Sequence, residues 1–165
     1  MKKLALTFLL LFVLILNGFS QEKKEEKFNR LIIKTDLLNP TFWMIAANYP
    51  SFSIGFEKQI NEEHSLQISG LLVADYRLNI VPEYRNYYDN DAKKLRSFWG
   101  SYLNYRIESD LEMLSLGINL GSQIEIFKKI YLDIVLGGGY GKKIRDSYNH
   151  SNYDFRANIY LGYKF

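Results

Sequence analysis

The sequence predicts an all-β fold, an eight-stranded antiparallel up-and-down β-barrel of the transmembrane type, and three observations lead there. Apolar and polar residues alternate with period two in eight successive segments. Short turn-like stretches separate the segments, and no stretch reads as a crossover helix. Aromatic residues gather toward the segment ends, and the last residue, Phe165, is one of them.

Composition sets the limits. A chain of 165 residues suits a single domain. Thirteen Tyr, eleven Phe and two Trp, with 24% charged residues, argue against disorder. The absence of cysteine excludes disulfide staples, Cys-ligated metal and thiol catalysis, and no cofactor is implied. A formal charge of +3 is too small to point to nucleic acid.

The first element is a targeting segment, residues 1–20. Lys2 and Lys3 precede an apolar run over 4–16, and the small residues Gly18 and Ser20 suit a cleavage site. The run falls short of the ~20 apolar residues that a membrane helix needs. Cleavage after Ser20 leaves 165 − 20 = 145 residues, 21–165, with a charge of (21 − 2) − 18 = +1. No later apolar run approaches a membrane helix, so a membrane protein made from the rest must be a closed barrel.

The strands follow in order. Segment 30–38 alternates weakly. Segment 51–60 sets Phe52, Ile54, Phe56 and Ile60 against Ser53, Gly55, Glu57 and Gln59. The turn Asn61-Glu62-Glu63-His64 joins it to 65–74, where Leu66, Ile68 and Leu72 oppose Gln67 and Ser69. Segments 78–88 and 98–107 are weaker. Segment 114–126 is the sharpest: Leu114, Leu116, Ile118, Leu120, Ile124 and Ile126 share a parity that only Ser122 interrupts. Lys128-Lys129 forms a two-residue hairpin to 130–140, and the final segment 155–165 alternates to the last residue. Membrane strands need ~9–11 residues each, which the chain accommodates.

Alternation alone leaves two barrels open: a soluble carrier with apolar residues inside, or a membrane barrel with the faces inverted. The polar parity is rich in Gly, Ser, Asn and Gln, which suit a crowded lumen. The aromatics divide into two belts. Phe42, Trp43, Tyr49, Phe52, Tyr76, Tyr140 and Phe155 fall toward an outer rim, and Phe28, Tyr88, Trp99, Phe127, Tyr163 and Phe165 toward the inner one. Both features favour the membrane form, exported to the outer membrane.

The ending Tyr163-Lys164-Phe165 resembles the C-terminal assembly signal of outer-membrane barrels, with Tyr163 and Phe165 as its aromatics. In size and strand number the chain is similar to the OmpX and OmpA membrane-domain type. Lys34-Thr35-Asp36-Leu37-Leu38, Gly55-Phe56-Glu57, His64-Ser65-Leu66 and Pro82-Glu83-Tyr84-Arg85 resemble an uncharacterised family of small outer-membrane barrels. The resemblance implies a monomer in contact with membrane lipid and the barrel-assembly machinery, and it brings no activity.

With the apolar parity outward, Lys34, Asp36, Glu57, Glu83, Arg85, Arg106, Glu125, Asp133 and Arg156 fall in the lumen. Charges buried together must pair, so an ion-pair plug is expected, with a gate or proton path as the sharper alternative. His64 and His150 belong to opposite ends and cannot share a metal. Ser147, Ser151, Asp146 and Asp154 near His150 invite a hydrolase reading, but a loop of common polar residues gives no triad geometry, so no catalytic residue is assigned. Gly137-Gly138-Gly139-Tyr140-Gly141-Lys142 misses the phosphate-loop spacing and reads as strand glycines. Two outer segments could meet a surface partner or small ligand: 39–49, with Phe42, Trp43 and Met44, and 146–154, with Tyr148 and Tyr153. The first reads more readily as an extension of the lipid belt, and the second as a contact loop.

Overall fold

The computed structural model describes residues 30–46, 48–74, 77–88, 94–147 and 151–165. The targeting segment, Phe28, Tyr76, Tyr148 and His150 lie outside these residues, as does the side chain of Trp43. Eight strands form one closed barrel in sequence order: β1 (Leu31–Asp36), β2 (Ser51–Gln59), β3 (His64–Val73), β4 (Arg77–Tyr88), β5 (Leu95–Glu108), β6 (Leu111–Phe127), β7 (Ile130–Asp146) and β8 (Tyr153–Lys164). Every neighbouring pair is antiparallel, including β1 with β8, which closes the ring. The near rim is the end where β1 starts and β8 finishes; the far rim is opposite.

The wall is inside out. On β6, Leu116, Ile118 and Leu120 are 62–70% exposed, while Ser115, Asn119 and Gln123 between and beside them are 1–2% exposed. Leu120 lies opposite Leu136, and Leu116 opposite Tyr140, so the exposed residues form one apolar surface across β6 and β7. Leaving such a side chain in water forgoes roughly 1.5–3 kcal/mol. The outward face therefore calls for an apolar surrounding.

The lumen is filled rather than lined. Besides polar groups it holds Phe98 and Val135 fully buried, with Tyr87, Tyr102 and Tyr160 nearly so. The sequence pattern assigned aromatics to the rims, and these four aromatics have the opposite role: they pack the interior. Two glycines on β6 make room for them. A Cβ at Gly117 would stand 2.4 Å from the Tyr102 ring, and one at Gly121 2.4 Å from the Phe98 ring. Gly137, Gly138 and Gly139 lie in mid-strand on β7, not in a loop.

Three features depart from the sequence expectation. The connection after β1 contains a helix, α1 (Leu38–Ala46). Asp36 starts it, accepting hydrogen bonds from the Leu38 amide at 3.0 Å and the Asn39 side chain at 2.5 Å. Pro40 falls in the first turn, where an amide is dispensable. With Asn39, Pro40 and Thr41 together at its start and an unbroken apolar run over 42–46, this short helix carries no periodic signal. Asn48, at φ 56°, then turns the chain into β2. Secondly, β6 and β7 run for 17 residues each, so the predicted outer segment 146–154 shrinks to the connection 147–152. Thirdly, β1 has only six residues, and its pairing with β8 ends at Asp36↔Tyr160 while β8 continues to Tyr153. Helix α1 covers the gap, with Asn39 Nδ2 donating to the Ala157 carbonyl at 3.0 Å.

The hairpin turn after β2 is shaped by Asn61, whose Oδ1 accepts from the amides of Glu63 at 2.9 Å and His64 at 2.7 Å. A two-residue turn, Lys128-Lys129, joins β6 to β7.

The packing of rings onto glycines generates a test. Gly117→Ala drives a methyl into the Tyr102 ring and is expected to cost about 1–3 kcal/mol, seen as a lower urea midpoint for the folded protein in detergent. Gly138→Ala, whose Cβ would meet nothing nearer than 4.0 Å, leaves the midpoint unchanged.

Candidate functional site

Inward parity on five strands delivers six charges to one level of the lumen: Lys34 from β1, Glu57 from β2, Glu83 and Arg85 from β4, Asp133 from β7 and Arg156 from β8. Three are cations and three anions, so the group is neutral. Lys34 Nζ donates to Glu57, to Asp133 and, at 3.2 Å, to Gln67 Oε1. Arg85 donates through Nε to Glu83 at 2.5 Å and through Nη1 to Asp133 at 2.7 Å. Arg156 Nη1 reaches the other Glu83 oxygen at 3.0 Å. Glu57 also accepts from Ser65 at 2.6 Å, Tyr87 at 2.5 Å and Gln123 at 3.3 Å. The six side chains are at most 6% exposed.

Burying a lone ion costs several kcal/mol, and a network offsets that only when its members are mutually paired and hydrogen-bonded. This one largely meets the condition. The aromatic fillers complete it: the Arg85 guanidinium sits 4.2 Å from the Phe98 ring centre, and that of Arg156 4.5 Å from the Tyr102 ring centre. Since Arg85 on β4 reaches Asp133 on β7, and Arg156 on β8 reaches Glu83 on the directly opposite β4, the network spans the lumen from wall to wall.

A small chamber lies on either side of it. The near-rim chamber, about 80 Å³, is bounded by Arg30, Gln59, Arg96, Gln123, Glu125 and Lys164. The far-rim chamber, also about 80 Å³, is bounded by Asp36, Arg77, Asn104, Asp154, Arg156 and Asn158. The ion-pair layer and its ring neighbours divide the two.

The other three charges named from sequence stand apart from the network. Asp36 is buried but serves α1 and β8, accepting also from Asn158 at 2.8 Å and the Ile159 amide at 3.3 Å. Arg106 belongs to the far mouth, 3.5 Å from Glu108 and 3.9 Å from Asp154. Glu125 belongs to the near mouth, where it accepts from Tyr131 at 3.0 Å. Sequence reasoning put Gln67 and Gln123 on the polar parity without joining them to the charges, read Asp154 only as a neighbour of His150, and missed Tyr87 and Phe98, which polarity could not have revealed.

The remaining candidates are placed as follows. Phe42 and Met44 are exposed on α1, and Tyr153 is exposed at the far end of β8, packed edge-on against Tyr140 at 5.8 Å between ring centres. Tyr163 and Phe165 face outward at the near rim, their rings 5.0 Å apart. His64 stacks on Tyr84, and its Nδ1 lies 2.8 Å from the Tyr84 hydroxyl. Asp154, named among the possible His150 partners, turns into the lumen, where Asn104 donates to both its oxygens at 3.1 Å. Among the described residues no group of three or more His, Cys, Asp or Glu could hold a metal ion.

No protein-family model matches the chain, and no curated protein matches it in sequence. Solved structures do. A de novo designed transmembrane β-barrel is 10% identical with a TM-score of 0.56, over 86% of this chain and 100% of that one. The N-terminal β-barrel domain of Pseudomonas aeruginosa OprF is 14% identical with a TM-score of 0.59, over 84% and 98%. Neisserial surface protein A is 12% identical with a TM-score of 0.48, over 82% and 92%. The fold is thus a closed eight-stranded antiparallel barrel resembling transmembrane barrels.

Removing one member of the network strands its partners. Arg85→Met leaves Glu83 and Asp133 short of a buried cation and is expected to cost about 3–5 kcal/mol, measured by urea unfolding in detergent. Arg85→Lys recovers only part of this, because a single ammonium cannot reproduce the guanidinium fork that engages both carboxylates.

Proposed function

We propose that the chain is a small integral outer-membrane barrel with a closed lumen, a non-enzymatic scaffold that shows its far-rim segments to a surface partner. The observation that carries this reading is the neutral six-charge network across the lumen. An eight-stranded barrel is only wide enough for side chains to fill, and a filled lumen offers no path to solutes. The near rim then faces the periplasm, and the far rim, with α1 and the long β5–β7 ribbon, faces outward. The outward apolar wall meets lipid, Tyr163 and Phe165 serve the assembly machinery, and the protein acts as a monomer. Export by the 1–20 segment belongs to the same reading.

A second reading, a small ligand-binding barrel, draws on the far-rim chamber. The side-chain oxygens of Asn104 and Asn158 line it without a hydrogen-bond partner, and they would suit a small hydrogen-bond donor.

Two measurements test the scaffold. Outer membranes from expressing cells are expected to hold a band that shifts on a denaturing gel only after boiling; recovery in the soluble periplasm would overturn the membrane reading. In planar bilayers the purified barrel is expected to show no steady conductance, and solute-sized steady steps would replace the plug with a channel.

A further inference from the structure

The outward face carries a groove that the scaffold role does not use. Register places Leu31, Lys58, Leu66, Tyr84 and Ser101 in one row across β1–β5. A second row, toward the far rim, holds Phe56, Ile68, Pro82 and Leu103, and β6 continues it with Leu116. Between the rows lies a hollow of about 470 Å³, and its floor is the chain at Gln67, Glu83 and Tyr102, whose side chains turn inward. Two local causes deepen it. Pro82 brings no amide hydrogen, and the β4–β5 pairing lapses between Ile80↔Tyr105 and Glu83↔Tyr102. Ser101 puts a small side chain where its row neighbours Tyr84 and Ile118 are large. Because strands in such barrels tilt, a row perpendicular to them climbs obliquely from the near rim into the wall.

One end of this apolar hollow is charged. Lys58 sits one residue from the end of β2 at the near rim. Among the described residues it is the one Asp, Glu, Lys or Arg on the outward parity between the near-rim turns and the far aromatic cluster of Tyr140 and Tyr153. His64, diagonal to it in register across β2–β3, forms with the Tyr84 hydroxyl and the Asn86 amide, 3.3 Å from the His64 ring, a polar ledge at the same near-rim level. A long lysine stem can lie along apolar surface while its head reaches the interface.

We propose that this groove is a phospholipid site of the periplasmic leaflet: one acyl chain lies between the two rows and the phosphate meets Lys58. The choice of occupant follows from charge complementarity at one end and apolarity along the rest. A lipid of the outer leaflet would bring its headgroup to the wrong rim. This inference rests on the membrane reading above.

Native mass spectrometry of the full chain released from nanodiscs of mixed phosphatidylethanolamine and phosphatidylglycerol tests it. The unaltered protein is expected to keep one phospholipid at activation energies that strip the others. Ser101→Trp, which fills the hollow from the outside, loses it, and Lys58→Gln keeps it at several-fold lower occupancy. The boiling-dependent gel shift is read for each variant, and Lys58→Gln alone decides the matter if Ser101→Trp does not fold. Failure of the unaltered chain to enter nanodiscs would sink the membrane reading. Entry with no retained lipid, or retention unchanged in a folded variant, would overturn the groove alone.

Discussion

Everything inside this barrel answers to one electrostatic constraint: a narrow lumen shut off from water can carry charge only if the charge cancels locally. Lys34, Arg85 and Arg156 against Glu57, Glu83 and Asp133 meet that condition, and apart from Arg85 with Glu83 on β4 itself the bonds run between strands. Lys34 and Asp133 are 99 residues apart in the chain. Each such bond holds in only one register, because a slip of one residue on any strand would turn its charge into the apolar surrounding and leave its partners unpaired. The network is thus a device for registering strands as well as for filling space, and the small polar side chains and glycines around it set the room it occupies.

The wall obeys the complementary rule. Hydrocarbon offers no hydrogen bonds, so the backbone must satisfy itself, and a closed ring of antiparallel ladders does so. Where the ring departs from regularity, local chemistry covers the exposed groups: Asn39 at the Ala157 carbonyl, and Asp36 at the Ile159 amide. At Pro82 the chain omits an amide hydrogen instead.

Most of this architecture could be read from the sequence because period two survives any tertiary arrangement. Leu114 through Ile126 alternates so strictly that strand, facing and neighbours follow together. Strand ends were less legible: Gly141, Lys142 and Lys143 carry no apolar alternation, yet β7 continues through them to Asp146, paired with β6 except where the register shifts at Ile144. Helix α1 escaped because Asn39, Pro40 and Thr41 gather at its start and the rest is an unbroken apolar run, which shows no face. At the lumen, the six paired charges share a parity with Asp36, Arg106 and Glu125, and parity alone gives direction without height. Which charges meet depends on the stagger of the ladders, which no single strand reveals. The aromatic fillers are hidden for another reason. Phe98 pairs opposite Gly121, and the room for its ring belongs to the other strand.

The shortness of β1 has a mechanical meaning. A ring of staves is as strong as its weakest joint, and this stave is held by four paired residues on one side and five on the other, whereas β6 and β7 share a ladder of sixteen. On ladder length alone the hoop would spring open on either side of this first stave. Yet β1 bears Lys34, bolted to Glu57 on its neighbour and, past β8, to Asp133 on β7, and Asp36, tied to Asn158 on β8. The central charges thus take over work that backbone length does elsewhere, so the bore and the closure of the hoop are fastened by the same bolt.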